Sequence, residues 1–337
     1  MKKTVSHLAL AVILLAFGLA CACPSPCFAH KFVVGFVASG SAIDDDSFNS
    51  MTVAGLRKLE KNNHVRIEVR QGGFSLEEHK KQIKSLLDCG AQVIVINFSS
   101  DLDKLLEFIS QYPEIPFIIN DARVSGYANV SSTVYNQRMG SCLVGALCAW
   151  QTATDRIGFI GANEMPIIKD FLCGFKEGIR LSDRDVQIET AFVRRGNNWE
   201  GFEDPEQASV IAARMYNSGV DIIYAVAGLS GNGVIAAARK SGNYVIGVDS
   251  DQDGIAKGTV LTSMMKRLDV AVYNEVLSVL EGRFIPGPKE YNISNNGIGL
   301  TEMKYSKDLI AEDVLQKLAE LKEKLSKGLI RLDCPDK

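Results

Sequence analysis

A chain of 337 residues is long enough for one large domain or two smaller ones, and its 46% apolar content can fill a sizeable core. A formal net charge of −3 leaves no electrostatic footprint for nucleic acid. The chain also lacks the basic helix-turn-helix opening of a DNA-reading repressor, so no nucleic-acid partner is expected.

The first residues read as an export signal. Lys2 and Lys3 precede an apolar stretch over 8–20 that is too short to span a bilayer. A leader over 1–29 follows, with two processing routes open. Cys27-Phe28-Ala29 fits a cut before His30, whereas Gly18-Leu19-Ala20 precedes a lipid-accepting Cys21 with its leucine one position out of place. Either route places the protein outside the cytoplasm, in the periplasm or on the outer face of the cell membrane. Beyond Cys21, Cys23 and Cys27 the cysteines are Cys89, Cys142, Cys148, Cys173 and Cys334. No CxxC spacing or neighbouring histidine suggests zinc, and no metal or cofactor is expected. Cys142, Cys148 and Cys173 sit in apolar helical patterns and read as buried free thiols.

Short apolar runs then alternate with amphipathic stretches. Strands are expected at 32–37, 65–69, 93–96 and 117–119, with helices at 47–61, 76–87 and 102–110 between and after them. The pattern restarts with helices at 138–152, 167–181, 206–217 and 232–240, and strands at 156–160, 188–193, 222–226 and 244–248. This is the order of two α/β lobes, each a parallel sheet covered by helices. A strand at 260–264 and a helix at 269–280 form an extra pair, expected to return to the first lobe. The lobes are then 31–134 plus 258–284, and 135–257 plus 285–337. Pro286-Gly287-Pro288 breaks the chain, and a last helix covers 308–327 with interleaved Glu and Lys. The cleft lies between the carboxyl ends of two sheets, where α/β folds bind ligands.

Chemistry-bearing residues fall at those strand ends. Asp44-Asp45-Asp46 after the first strand can cap the next helix, but capping does not explain Phe48 on its first turn, placed to stack on a flat ligand. Asp249-Ser250-Asp251-Gln252-Asp253-Gly254 opens like a calcium loop, yet its twelfth position is Val260 rather than Glu. Asp249 can instead accept hydrogen bonds from neighbouring sugar hydroxyls. Gly228-Leu229-Ser230-Gly231-Asn232-Gly233 lacks the lysine of a P-loop and does not frame Ser230 as a nucleophile elbow. Its glycines serve either backbone approach to a ligand or tight strand-to-helix packing. Lys266 and Asp121 each follow a strand. The histidines are His7, His30, His64 and His79; the last two lie in polar, surface-like contexts, and no catalytic triad suggests itself.

The runs IDDDSFN, RIGFIGANEMPIIKDFLCGFKEGI, AGLSGNGVI, YVIGVDSDQ and VLTSMMKRLDVAV resemble the basic membrane protein family of substrate-binding proteins, which includes purine-nucleoside receptor lipoproteins. The likeness runs from about Val33 to Pro335. It implies a type I periplasmic-binding fold, two Rossmann-like lobes joined by a hinge, that captures a nucleoside and hands it to an ABC permease and its ATPase. It implies a monomer that is not an enzyme. The alternatives are a receptor of the same fold for a sugar or signalling molecule, or a nucleoside hydrolase. Carried over residue by residue, it assigns ligand contact to Phe48, Asn49, Asp121, Phe202, Gly228, Asp249 and Lys266. Closure would set Phe48, Asp121 and Lys266 of the first lobe against Asp249, Gly228 and an aromatic of the second. Asp44, Tyr135 and Trp199 are further candidates, the last two as alternatives to Phe202 for a second stacking face. Two departures stand out: Ala38 replaces an aspartate common in the family, and 195–201 look like an insertion that brings in Trp199.

Overall fold

The computed structural model describes residues 31–97 and 100–334. The leader over 1–29, Cys21 and the cut before His30 lie outside the described residues, as does Pro335. No helix among the described residues is long and apolar enough to cross a membrane.

The first strand, β1 (Phe32–Ala38), reads FVVGFVA and is buried from Val33 onward. Such an unbroken apolar run suits a strand covered on both faces. Helix α1 (Phe48–Asn62) buries Phe48, Met51, Thr52, Gly55, Leu56 and Leu59, one stripe at helical spacing. The alternation continues through β2 (Val65–Gln71), α2 (Leu76–Asp88), β3 (Val93–Ile96), α3 (Leu102–Ile109) and β4 (Phe117–Asn120). Next comes β5 (Val130–Tyr135), absent from the sequence expectation because Ser131, Ser132 and Thr133 interrupt its apolar pattern although all three are buried.

Helix α4 (Gln137–Gln151) leads into the second lobe. There follow β6 (Arg156–Gly161), α5 (Pro166–Leu181), β7 (Gln187–Phe192), α6 (Pro205–Asn217), β8 (Ile222–Val226), α7 (Gly231–Ser241) and β9 (Tyr244–Asp249). The tail holds β10 (Val260–Lys266), α8 (Leu268–Leu280), β11 (Gly287–Tyr291), β12 (Ile298–Leu300) and α9 (Glu312–Ser326). The last helix starts four residues later than expected, after a 3-10 turn at Lys307–Leu309.

Two six-stranded sheets result. The first has the order β11-β5-β4-β3-β1-β2 and is parallel throughout. The second has the order β12-β10-β9-β8-β6-β7 and is parallel except where β12 runs against β10. The tail divides differently from the expectation. β10 pairs with β9 and so joins the second sheet, whereas β11, expected in the second lobe, pairs with β5 in the first. Only α8 of the extra pair goes back, packing on α1. A Cβ on Gly55 would lie 2.4 Å from the Asp269 carbonyl oxygen, so glycine there permits the contact. The apolar run of β10 suits a buried strand in either lobe, which is why its pattern could not assign it.

The chain thus crosses between lobes after β5, after β10 and after β11. The crossings are tied side by side: Asn136 N donates to Tyr291 O at 2.8 Å, and Arg267 N to Gly297 O at 3.0 Å.

Two further expectations change. Cys142 and Cys148 are buried free thiols, and burial pushes Cys142 up to about 12. Cys173, however, is bonded to Cys334, tying the chain's tail to α5. His79 is fully buried rather than surface-like, its Nδ1 3.0 Å from Ser75 O.

Candidate functional site

The carboxyl ends of the two sheets face each other across a cavity. Its wall includes Phe48, Asn49, Phe74 and Asp121 from the first lobe, and Ile168, Phe171, Phe202, Gly228, Asp249 and Lys266 from the second. The walls enclose about 70 Å³ within which the centre of a water-sized sphere can move. By that measure one water needs about 10–15 Å³, so the space is a true cavity and not a packing defect.

The β1–α1 loop builds the first rim. Asp45 accepts from the backbone N–H groups of Ser47, Asn49 and Ser50, each at 2.9 Å, and so caps α1. Burial still holds this carboxyl above its ordinary range. Asn49 clasps the loop: its Nδ2 donates to Ser39 O at 2.8 Å and Ala42 O at 2.9 Å. From Asn49 a buried polar ribbon crosses the sheet. Asn97 Nδ2 donates to Asn49 Oδ1 at 2.9 Å, Asn120 Nδ2 to Asn97 Oδ1 at 2.9 Å, and Thr133 Oγ1 to Asn120 Oδ1 at 3.1 Å. Asp121 N closes the series on Thr133 Oγ1 at 3.3 Å. The ribbon runs from the start of α1 across the ends of β3, β4 and β5 and links the helix turn bearing Phe48 to Asp121.

The second rim is built from turns. Asp249 and Gly228 leave their strands with left-handed backbones, φ +66° and +56°, and Asp121 opposite does the same at +59°. Aspartate tolerates this region better than most side chains, and glycine enters it without cost. A Cβ on Gly228 would lie 3.3 Å from Phe202 Cδ1, so the glycine also gives this ring room. Gly233 answers the packing alternative, since a Cβ there would lie 1.8 Å from Pro205 O.

Charged groups join the rims. Lys266 and Asp121 form an ion pair with side chains only 2% and 4% exposed. Lys266 Nζ also lies 5.8, 5.5 and 5.1 Å from the ring centres of Phe48, Tyr135 and Phe171, a cationic centre in an aromatic cage. Ser47 Oγ donates to Asp249 Oδ2 at 2.8 Å, and Gln252 Nε2 to Asp46 O at 2.9 Å, both across the lobes. Burial raises Asp249 to about 6, against the opposing pull of Lys266 and Ser47. The lobes are therefore closed on each other.

Two closed α/β lobes around such a cavity are the build of a solute receptor, and the family comparison agrees. The model of the Bmp family, described as ABC transporter substrate-binding protein PnrA-like, matches residues 31–332. The chain belongs to this family.

As a Bmp protein it is similar to a Listeria monocytogenes protein called CD4+ T-cell-stimulating antigen, 30% identical over 98% of this chain and 99% of the relative. Basic membrane protein A of Borreliella afzelii is 31% identical over 69% of this chain and 70% of its own length. In fold it is similar to an ABC transporter solute-binding protein of Aeropyrum pernix K1, with a TM-score of 0.80 at 24% identity over 91% and 94% of the two chains. Bmp membership brings a small-molecule ligand, permease and ATPase partners and an extracytoplasmic location; substrate-binding proteins are not enzymes.

The seven main candidate residues of this Bmp chain, Phe48, Asn49, Asp121, Phe202, Gly228, Asp249 and Lys266, all line the one cavity. Lys266 reaches it from the second sheet rather than from the first lobe. The three further candidates are not among the lining residues. Asp44 is exposed and accepts from Ser50 Oγ at 3.4 Å. Tyr135 is buried and stacks on Tyr291 with centroids 5.3 Å apart. Trp199 stacks on Phe74 at 5.1 Å. Ala38 packs in the core, and Ser39 after it takes the place on the wall. The calcium-like run is used internally: Asp253 accepts from Thr301 Oγ1 at 2.7 Å and Ser263 Oγ at 3.2 Å. Sequence reasoning missed Phe74, Phe171, Ile168 and Glu203 on the wall. Phe74 stands just past a strand, after Gly72-Gly73, and that position is the signal that could have found it.

Proposed function

We propose that the chain is an extracytoplasmic receptor that captures a nucleoside by lobe closure and delivers it to an ABC permease. The observation that carries this reading is the pairing of flat and charged walls in one cavity. Phe48 and Phe202 supply rings for a base, while Asp249 and Lys266 supply an acceptor and a donor for ribose hydroxyls. Asp121, held by Lys266 in the closed form, is the acceptor for the edge of the base. Each ring stacked on a base contributes about 1–3 kcal/mol.

Calorimetry and thermal shift with adenosine, guanosine, inosine and uridine test the reading. A nucleoside is expected to raise the melting temperature by mass action. Phe48→Ala is expected to weaken its binding about five- to hundredfold. No stabilisation by any of the four sinks the nucleoside. Stabilisation by free ribose or a hexose instead, unchanged in Phe48→Ala, makes the protein a sugar receptor. Release of free base on incubation, seen by chromatography, makes it a hydrolase.

A further inference from the structure

Phe74 and Trp199 meet across the two lobes at a place that neither the polar ribbon nor the ion pair explains. Phe74 is fixed from the first-lobe side. Gly40 N donates to Gly73 O at 2.8 Å, Gly72 N to Ala38 O at 2.8 Å, and Ser100 N to Phe74 O at 2.9 Å. Both Gly40 and Gly73 are left-handed, at φ +73° and +61°. Two glycines therefore let the β2–α2 turn lie against the β1–α1 loop.

The opposing turn, Trp199–Phe202, is fixed from the second-lobe side. Asn198 Oδ1 accepts from Glu200 N at 2.8 Å, Asn163 Nδ2 donates to Asn198 O at 2.9 Å, and Ser230 Oγ to Gly201 O at 2.8 Å. A Cβ on Gly201 would lie 2.0 Å from Ala162 O, so the turn presses directly on the end of β6. Neither ring is carried on a loose loop.

Between them the three rings form one triangular cluster, in which Phe74 and Trp199 are stacked and Phe202 is tilted against both. Phe74 and Trp199 are 5.1 Å apart with planes 29° inclined; Phe74 and Phe202 are 6.4 Å apart, and Trp199 and Phe202 5.9 Å. Phe74 and Phe202 line the cavity, and Trp199 stands behind them outside the lining. The Glu203 carboxylate accepts from Ser41 N beside the rings, a second tie across the lobes, here to the β1–α1 loop on which the Phe74 turn lies.

We propose that Phe74 and Trp199 form a clasp that sets how fast the ligand leaves, with Trp199 the positioning residue that holds Phe74 as a cavity wall. The inference rests on the ligand-receptor reading above. The contact exists between lobes, so it stabilises the closed form and is broken on opening. A contact of this kind acts on dissociation far more than on encounter. Aromatic pairs contribute enough beyond their buried area to change a rate up to about tenfold.

The experiment uses the full chain with Trp150→Phe, which leaves Trp199 as the single tryptophan of the two in the sequence. Release of inosine is followed by stopped-flow emission. Phe74→Ala is expected to release it about ten times faster with association within twofold, and Phe74→Tyr to restore the slow rate. An unchanged release rate, or a loss confined to association, overturns the clasp. If calorimetry shows that the unmodified protein takes up no nucleoside, the nucleoside reading fails instead. The clasp is then judged in ligand-free protein by a double-mutant cycle in melting temperature. Phe74→Ala and Trp199→Ala together should cost less than the sum of the two single losses; additive losses reject the clasp.

Discussion

The two rims of the cavity are built on opposite plans. On the first lobe, Asn49, Asn97, Asn120 and Thr133 hold one another in a buried series, so the β1–α1 loop and Asp121 are set before any ligand contact. On the second lobe the wall is mainly apolar, through Ile168, Phe171, Phe202 and Leu229, with Asp249 as its buried acid. One face is a pre-arranged polar template and the other an apolar cover carrying the complementary charge. Neither is a complete site alone, which is what couples ligand capture to closure in the proposed function.

The largest test of that contrast removes the joint between the rims. Lys266→Ala leaves the Asp121 and Asp249 carboxylates buried without their cation. It is expected to cost about 3–5 kcal/mol in denaturant unfolding. Lys266→Met with Asp121→Leu should lose less, because only Asp249, which Ser47 still bonds, is left without its cation. Equal losses for the single and double variants would show that the ion pair does not tie the rims.

A smaller effect probes the template. Asn97→Ala strands Asn120 Nδ2 and leaves Asn49 Oδ1 only its longer bonds from Ser39 N and Oγ, 3.3 and 3.5 Å, for about 1–3 kcal/mol of stability. Nucleoside affinity should fall with it, since the first turn of α1, which carries Phe48, is no longer held. A variant that loses stability yet binds as before would make the ribbon a matter of folding alone.

The smallest effect lies in pH. Asp249 faces Lys266 and Ser47, which favour its ionised form, and Asp121 and Asp45, which oppose it; burial raises it to about 6. Between the ordinary carboxylate range and 6 the folded protein binds this proton more tightly than the unfolded chain. The group therefore makes the ligand-free protein more stable as pH falls through that window. The proposed ribose contact needs the ionised carboxylate, so under that reading affinity should move the other way, falling about tenfold per unit below 6. Calorimetry at pH 7.5, 6 and 5 checks this, and Asp249→Asn should flatten the profile.

Much of this arrangement was legible in residue order, because strand ends in α/β lobes are where ligands sit. Phe48, Asp121, Gly228, Asp249 and Lys266 each stand beside a readable strand, and all line the cavity. What escaped did so for physical reasons. The β5 strand hides its burial behind hydroxyls that hydrogen-bond to neighbours, and β11 reads GPKEY, a sequence with no apolar run. Pro288 is tolerated there because β11 is an edge strand. Which lobe β10 joins depends on which sheet edge lies open, a fact of three dimensions. Cys173 sat in an apolar helical pattern, and its partner lies 161 residues away.

That last bond makes a covalent ring with an unusual route. Both of its ends are anchored outside the first lobe, yet the chain between them passes through α8 and β11 of the first lobe and back. The exposed stretch 195–198 lies on the ring. A protease that cuts there makes two fragments that remain one molecule until they are reduced. For a receptor working outside the cytoplasm, a nick in this exposed turn then leaves the two pieces joined.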